Sequence, residues 1–482
     1  MKECGVLLHI SSLPSIEGIG TLGKGAYEFV DWLSASGFGY WQVLPIGHTG
    51  FGDSPYQSFS MYAGNPYFVD LAMACGEDDM PLPLRSKCID YGKLYVDKYN
   101  SLRGLDFDRI IDKPGFEEFC RLNYWWLDNY AVFMAIKDSL GGASWDAWED
   151  KIRFCDIDRL ARIRDELSNE IRFYKYIQYI FFEQWTRLRR YANDRGVKII
   201  GDIPIYTAYD SADVWANPKY FRLGNDLRLK EVAGVPPDYF SKDGQIWGNP
   251  LYDWDAVRAD GYKLWTDRLD AQAKLYDVLR IDHFRGFAGY FVVDAKASTA
   301  AGGHWEAGPR EDVFAAWGGS HSLEIVAEDL GTLTDDVYTL LSKTGFAGTK
   351  VLQFSLSDKN NPYLPDNYTT DNCVVYTGTH DNVTTVDWYE GLKAADRAKL
   401  RKYLAPYNGD NIVDRMIEWA YSSRAKISII PMQDLLGLGK PARMNTPSVP
   451  GGNWRWRMDR DSLSAALSDK MQKIGKKWGR VR

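Results

Sequence analysis

Long apolar runs are missing from this 482-residue chain. Nothing in it approaches the roughly eighteen continuous apolar residues that a membrane-spanning helix requires. The opening MKECGVLLHISSLPS carries one Lys and a short apolar run ending in polar and turn residues, which is not how a secretory leader is built. Cysteine is sparse and unpatterned. Cys4, Cys75, Cys88, Cys120, Cys155 and Cys373 form no CxxC pair and show no zinc-ligand spacing. They read as reduced thiols of a cytoplasmic protein, not as a disulfide framework. Positive charge is not in excess either: 58 Lys and Arg against 65 Asp and Glu leave a formal charge of −7. Nucleic acid and anionic membrane are therefore excluded as main partners, because binding phosphates needs a basic surface. Internal repeats, low-complexity tracts and flexible linkers are absent, and no cofactor is expected. A neutral substrate fits what remains.

Aromatic residues are plentiful, at 14% of the chain. Trp and Tyr combine an apolar face with a polar handle, which suits surfaces that meet amphipathic ligands such as sugars. Short β-branched runs also recur. They lie at residues 5–10 (GVLLHI), 40–46 (YWQVLPI), 197–205 (VKIIGDIPI) and 278–282 (VLRID). Four more follow at 323–330 (LEIVAEDL), 349–354 (TKVLQF), 373–379 (CVVYTGT) and 426–432 (KISIIPM). Near-continuous apolar character marks strands buried on both faces. Segments of helical period intervene, for example 26–36 and 334–342. Eight strands alternating with helices predict a TIM (β/α)8 barrel spanning residues 1–482 as one catalytic domain. Two connections exceed a single crossover helix: a mainly helical insertion over 72–195 and an aromatic, loop-rich insertion over 207–262. Both are expected on the loop face of the barrel. No run of strands follows Met432, so no C-terminal β-sandwich is expected.

Active sites of this barrel sit at the C-terminal ends of its strands. Four strands carry acids there: Asp202 in GDIPI, Asp282 in RIDHFRG, Glu328 in AEDLG and Asp381 in GTHDN. Cleaving a glycosidic bond needs such a set, with one carboxylate to attack the anomeric carbon and one protonated acid to release the leaving oxygen. A further negative charge stabilises the oxocarbenium-like centre. Any one strand-end Asp is equally well read as a cap for the next helix, and Asp202 alone supports no more than that. RIDHFRG says more, since period two puts Arg280 and Asp282 on one face of the strand. A neighbouring cation keeps a carboxylate ionised, as a nucleophile requires. His283 and His380 could be metal ligands, but no strand carries an HxH or HxxxD cluster, and no metal is expected.

These segments resemble glycoside hydrolase family 77, the amylomaltases and plant disproportionating enzymes. The resemblance runs from GVLLHISSLPSIEGIGTLG through YWQVLPIGHTGFGDSPYQSFSMYAGNPYFVDL, DIPIYTAYDSADVW, GQIWGNPLYDW, RIDHFRGF, AEDLGT, KVLQF and GTHDN to NTPSVPGGNWRWR. It implies a retaining 4-α-glucanotransferase that moves α-1,4-glucan segments of maltodextrin, starch or glycogen to an acceptor such as glucose. By the same resemblance Asp282 is the nucleophile, Glu328 the acid/base, and Asp381 the stabiliser that holds sugar hydroxyls. Arg280, His283 and His380 resemble donor-side residues, and Ser54 and Tyr56 of DSPYQ resemble a sugar platform. Asp202 and Trp215 match positions lining the donor side. Trp247 matches a loop over the cleft, and Asn453, Trp454 and Arg455 match a motif closing the acceptor side. The chain departs from the family pattern at Val383, at Asp366 and at Phe51, the last falling where some relatives carry a Tyr at a second glucan site. Two other functions use the same features: an α-glucan hydrolase with water as acceptor, and a non-catalytic glucan-binding protein on the same scaffold.

Overall fold

The computed structural model describes residues 2–76, 88–237, 242–318, 323–331, 333–449 and 451–481. Eight strands form one parallel sheet: β1 (Glu3–Leu7), β2 (Tyr40–Gln42), β3 (Lys198–Pro204) and β4 (Val278–Asp282), then β5 (Glu324–Ala327), β6 (Gly348–Val351), β7 (Cys373–Tyr376) and β8 (Ile427–Pro431). They are ordered β6-β7-β8-β1-β2-β3-β4-β5. The seam between β5 and β6 has one parallel bridge, Val326 to Ala347, with N–H···O contacts Ala327 to Ala347 at 2.8 Å and Ala347 to Ile325 at 3.3 Å. This brings the sheet round into a nearly closed barrel.

Strand alternation sorts the side chains. Leu7, Tyr40, Ile200, Val278, Val326, Val351, Val374 and Ile429 share one buried cluster, which fills the barrel. Val6, Trp41, Ile199, Leu279, Ile325 and Val375 belong to a larger cluster between the strands and the helices. The fourth strand keeps its predicted limits, and the other seven end one to four residues before theirs. A single turn of 3-10 helix, Leu352–Phe354, follows β6 directly, and another, Ile10–Ser12, begins soon after β1.

Helices Tyr91–Arg103, Lys113–Ser139, Ile157–Glu166 and Ser168–Asp194 connect β2 to β3. The last two of these are divided at Leu167. Asp112 caps the second helix by accepting the Gly115 N–H at 3.1 Å, with Pro114 in its first turn. A four-stranded antiparallel sheet, which sequence reading missed, joins the connections after β3 and β4. Its order is Gln245–Pro250, Glu231–Val235, Gly289–Asp294, His304–Ala307. Beyond β8 the described residues form helices and loops, with no strand that extends into a second sheet.

The chain ends are clasped together. Helix Ala465–Lys477 lies against Lys24–Ala35, and the Trp32 indole N–H donates to the Ser464 carbonyl at 3.2 Å. Arg480 is buried and donates to the carbonyls of Glu3 (3.1 Å), Tyr421 (2.7 Å) and Ser423 (3.0 Å). Among the described residues no helix is long and apolar enough to cross a membrane.

Candidate active site

Strand register assembles the acids. In the β3–β4 ladder Asp202 pairs with Arg280 and Pro204 with Asp282. Period two aligns Arg280 and Asp282 with Val278, whose side chain faces the barrel interior. The Arg280 guanidinium donates to both Asp202 oxygens at 2.7 Å and to Asp282 Oδ1 at 2.8 Å. A buried cation bonded to two carboxylates is fixed in place, because its loss would leave two buried charges uncompensated. Tyr56 adds a third tie, donating its hydroxyl proton to Asp202 Oδ2 at 2.7 Å and lying 2.8 Å from His380 Nε2. The Tyr56 and His380 rings stack 5.3 Å apart.

Asp282 ends β4, and His283 after it adopts the left-handed conformation at φ 50°. Strain of that kind in a non-glycine residue clusters at working sites. Here it turns the His283 N–H onto Glu328 Oε2 at 2.7 Å, while the Leu330 N–H donates to Oε1 at 3.1 Å. Glu328 directly follows β5, so neighbouring strand ends deliver Asp282 and Glu328 together. Burial first, and then the Asp282 charge, push the Glu328 carboxyl up to about 7, against the opposing pull of Arg280.

The Arg280 cation was expected to hold Asp282 below the usual carboxylate range. The net direction is upward, because burial and the charges of Asp202 and Asp381 outweigh Arg280. Arg280 contacts Asp282 directly, whereas Glu328 has only backbone donors. Burial drives His283 down to about 3, so its ring is neutral. Its Nε2 is buried without a partner among the described residues, and the Trp247 indole packs edge-on against the ring at 4.7 Å.

Asp381 lies beyond β7 and is 41% exposed. Its Oδ1 accepts from Asn445 Nδ2 at 2.6 Å, and its Oδ2 is 3.4 Å from His380 Nε2. Asn445 opens the NTPSVPGGNWRWR segment, but sequence reading gave it no role. An open cleft of about 600 Å³ meets Asp282, His283, Asp381, Ser54, Tyr56 and Trp247. Ser54 Oγ also accepts the Tyr56 N–H at 3.3 Å and so braces the platform. Asn453 borders the same cleft but spends its amide on its own loop, accepting the Thr446 N–H and donating to the Val449 carbonyl, both at 2.9 Å. Trp454 is buried with its ring 6.0 Å from both Tyr56 and His380. Arg455 donates to the Ile89 carbonyl at 2.7 Å.

Two expected lining residues are elsewhere. Trp215 is 2% exposed, packed against Phe133 and Trp148 with its N–H on the Ile152 carbonyl, so it belongs to the core and not to the donor wall. Asp202 is fully buried beneath the cleft and acts through Arg280 and Tyr56. The Phe51 side chain lies outside the described residues. Among the described residues, no three His, Cys, Asp or Glu side chains are grouped as metal ligands.

The family model described as 4-alpha-glucanotransferase matches residues 8–463. A 4-alpha-glucanotransferase of Clostridium butyricum is 43% identical over 98% of this chain and 100% of its own length. One from Synechocystis is 42% identical over 99% and 98%. Among solved structures, an amylomaltase from Streptococcus agalactiae in complex with acarbose superposes with a TM-score of 0.94 at 35% identity, covering all of both chains. With the eight-stranded barrel and a carboxylate-lined cleft at its strand ends, this agreement over the full length shows that the chain belongs to glycoside hydrolase family 77, the 4-α-glucanotransferases.

Proposed function

We propose that this enzyme transfers α-1,4-glucan segments by a retaining, double-displacement mechanism through a covalent glucosyl-enzyme. A carboxylate of Asp282 attacks the anomeric carbon as the glycosidic C–O bond breaks. Glu328 gives its proton to the departing oxygen, and the leaving glucan diffuses away with a new 4-hydroxyl. An incoming glucan or glucose then gives its 4-hydroxyl proton to Glu328 and attacks the same carbon, which frees Asp282. Two inversions leave the anomeric configuration unchanged.

The observation that carries this reading is the contrast between two neighbouring carboxylates. Asp282 touches a buried guanidinium at 2.8 Å, while Glu328 is raised to about 7 and so is still partly protonated at neutral pH. Asp381, half-exposed in the cleft and braced by Asn445, is suited to grip two sugar hydroxyls. The neutral His283 ring, with its open Nε2, supplies another hydrogen bond. Acceptor subsites that exclude water favour transfer over hydrolysis. The six free cysteines suit a reducing cytoplasm.

Maltotriose alone, incubated with the enzyme and EDTA, tests the reading. A ladder of longer maltodextrins plus glucose at nearly constant reducing ends is expected, and Asp282→Ala should abolish it while the protein stays folded. Rising reducing ends without longer products would make the enzyme a hydrolase, and turnover by Asp282→Ala would remove the nucleophile assignment.

A further inference from the structure

Away from the catalytic cleft, the described surface holds a second depression of about 380 Å³. That is within the roughly 300–1,000 Å³ usual for small-molecule sites. It lies outside the barrel, between helix Lys113–Ser139, the short helix Ala212–Ala216 and helix Lys263–Leu275.

One side is aromatic, formed by Tyr62 and the indoles of Trp125 and Trp126. Trp125 is 44% exposed, so part of its indole is free to meet a ligand. It is nevertheless held in place, edge-on to Tyr62 at 4.6 Å and 75°. The other side is polar, with Asp267, Asp270 and Lys274 along one helix. Lys263 pairs with Asp267 at 2.6 Å, and Lys263 and Lys274 face Asp213, Asp267 and Asp270, so charge of both signs is present. Asn129 also lines the depression. It sits mid-helix, where Asn is a poor helix former, and its half-buried amide has no hydrogen-bond partner among the described residues.

A rigid aromatic face opposite amide, carboxylate and ammonium groups matches a pyranose. The ring's C–H face stacks on the indole, and its hydroxyls act as both donors and acceptors. We propose that this depression binds a second stretch of α-glucan, with Trp125 as the stacking platform and the Asn129 amide on sugar hydroxyls. The proposal rests on the glucan-transfer reading and adds a function to it. A polymer anchored here is supplied to the cleft at high effective concentration, an advantage that a trisaccharide, too short for two simultaneous contacts, does not share.

Trp125→Ala should raise the apparent KM for glycogen roughly three- to tenfold while leaving maltotriose disproportionation unchanged. Titrating maltoheptaose into Asp282→Ala should find two sites per chain, and one when Trp125→Ala is added. A single site with Trp125 present, or an unchanged KM for glycogen, overturns the proposal. Light scattering that shows a dimer abolished by Trp125→Ala overturns it too, and assigns the patch to self-association. If the wild type fails to disproportionate maltotriose, the transfer reading itself has failed, which is a different result.

Discussion

Glu328 is pulled in two directions. Two backbone N–H donors favour its charged form, while burial and Asp282 oppose it and prevail. The first displacement needs the neutral acid, so the rate of glycosyl-enzyme formation is expected to fall as pH rises through about 7. The alkaline limb of kcat/KM for maltotriose checks this. Asp282→Asn, which keeps the shape and removes the charge that raises Glu328, should lower the acid's titration midpoint, measurable by NMR of labelled Glu even in the inactive variant. A midpoint unchanged in Asp282→Asn would mean that burial alone sets it. At this scale the sequence was legible where chemistry and strand position coincide, as at Asp282 and Glu328. It misled at Trp215, whose motif says nothing of which way the indole turns. It was silent at Asn445, which matters only because the fold carries it 64 positions along the chain to Asp381.

Elements impose constraints that single residues do not. Trp247 lies on the strand Gln245–Pro250, half-buried, with Tyr206 at 6.1 Å and His283 at 4.7 Å. Because that strand borders the cleft, Trp247→Ala is expected to impair acceptor use more than folding. Acceptor KM for glucose should rise about tenfold, with the melting temperature shifted by only a few degrees. Collapse of stability would assign the ring to packing instead.

The β5–β6 seam is a second case. Its ladder is a single bridge, supplemented by Asp329, which accepts the Thr349 N–H at 2.5 Å, and by the Thr349 hydroxyl on the Ala327 carbonyl at 3.0 Å. Asp329 therefore fastens the barrel one residue beyond Glu328. Asp329→Ala should lower kcat roughly ten- to hundredfold as the acid loses its support, whereas Asp329→Asn, which can still accept from Thr349, should recover most of it. Equal loss in both variants would tie the effect to charge and not to the seam. The antiparallel sheet went unread for a physical reason. EVAGV and QIWGNP carry Gly, Asn and Pro, the residues of turns, and the second neighbour of EVAGV comes from another connection.

For the whole molecule, the acid at the centre of the site is a thermodynamic burden. An unfolded Glu gives up its proton near 4.5, whereas the folded one keeps it up to about 7. Across that window the native state binds more protons, so this group's contribution to stability is fully present below about 4.5 and declines as pH rises to about 7. Glu328→Gln removes the dependence. Its stability relative to wild type should improve between pH 4 and pH 8 by at most about 3 kcal/mol, or roughly 3 °C in melting temperature. A difference in melting temperature that does not vary with pH would refute this. The architecture itself was the most legible level. Eight continuously apolar runs are visible because strands buried on both faces leave no polar alternation, while their exact ends leave no such mark.

The clasp of β1 against β8 also has a temporal side. Leu7 and Pro431 are partners, yet more than four hundred residues separate them. At a ribosomal pace of about 5–20 residues per second, the first strand waits on the order of 20–80 seconds for its neighbour. During that interval one hydrogen-bonding edge of an apolar strand is open to whatever else is nearby. The nascent chain is thus open at an edge that the finished enzyme closes, and this edge is where a chaperone has longest to act.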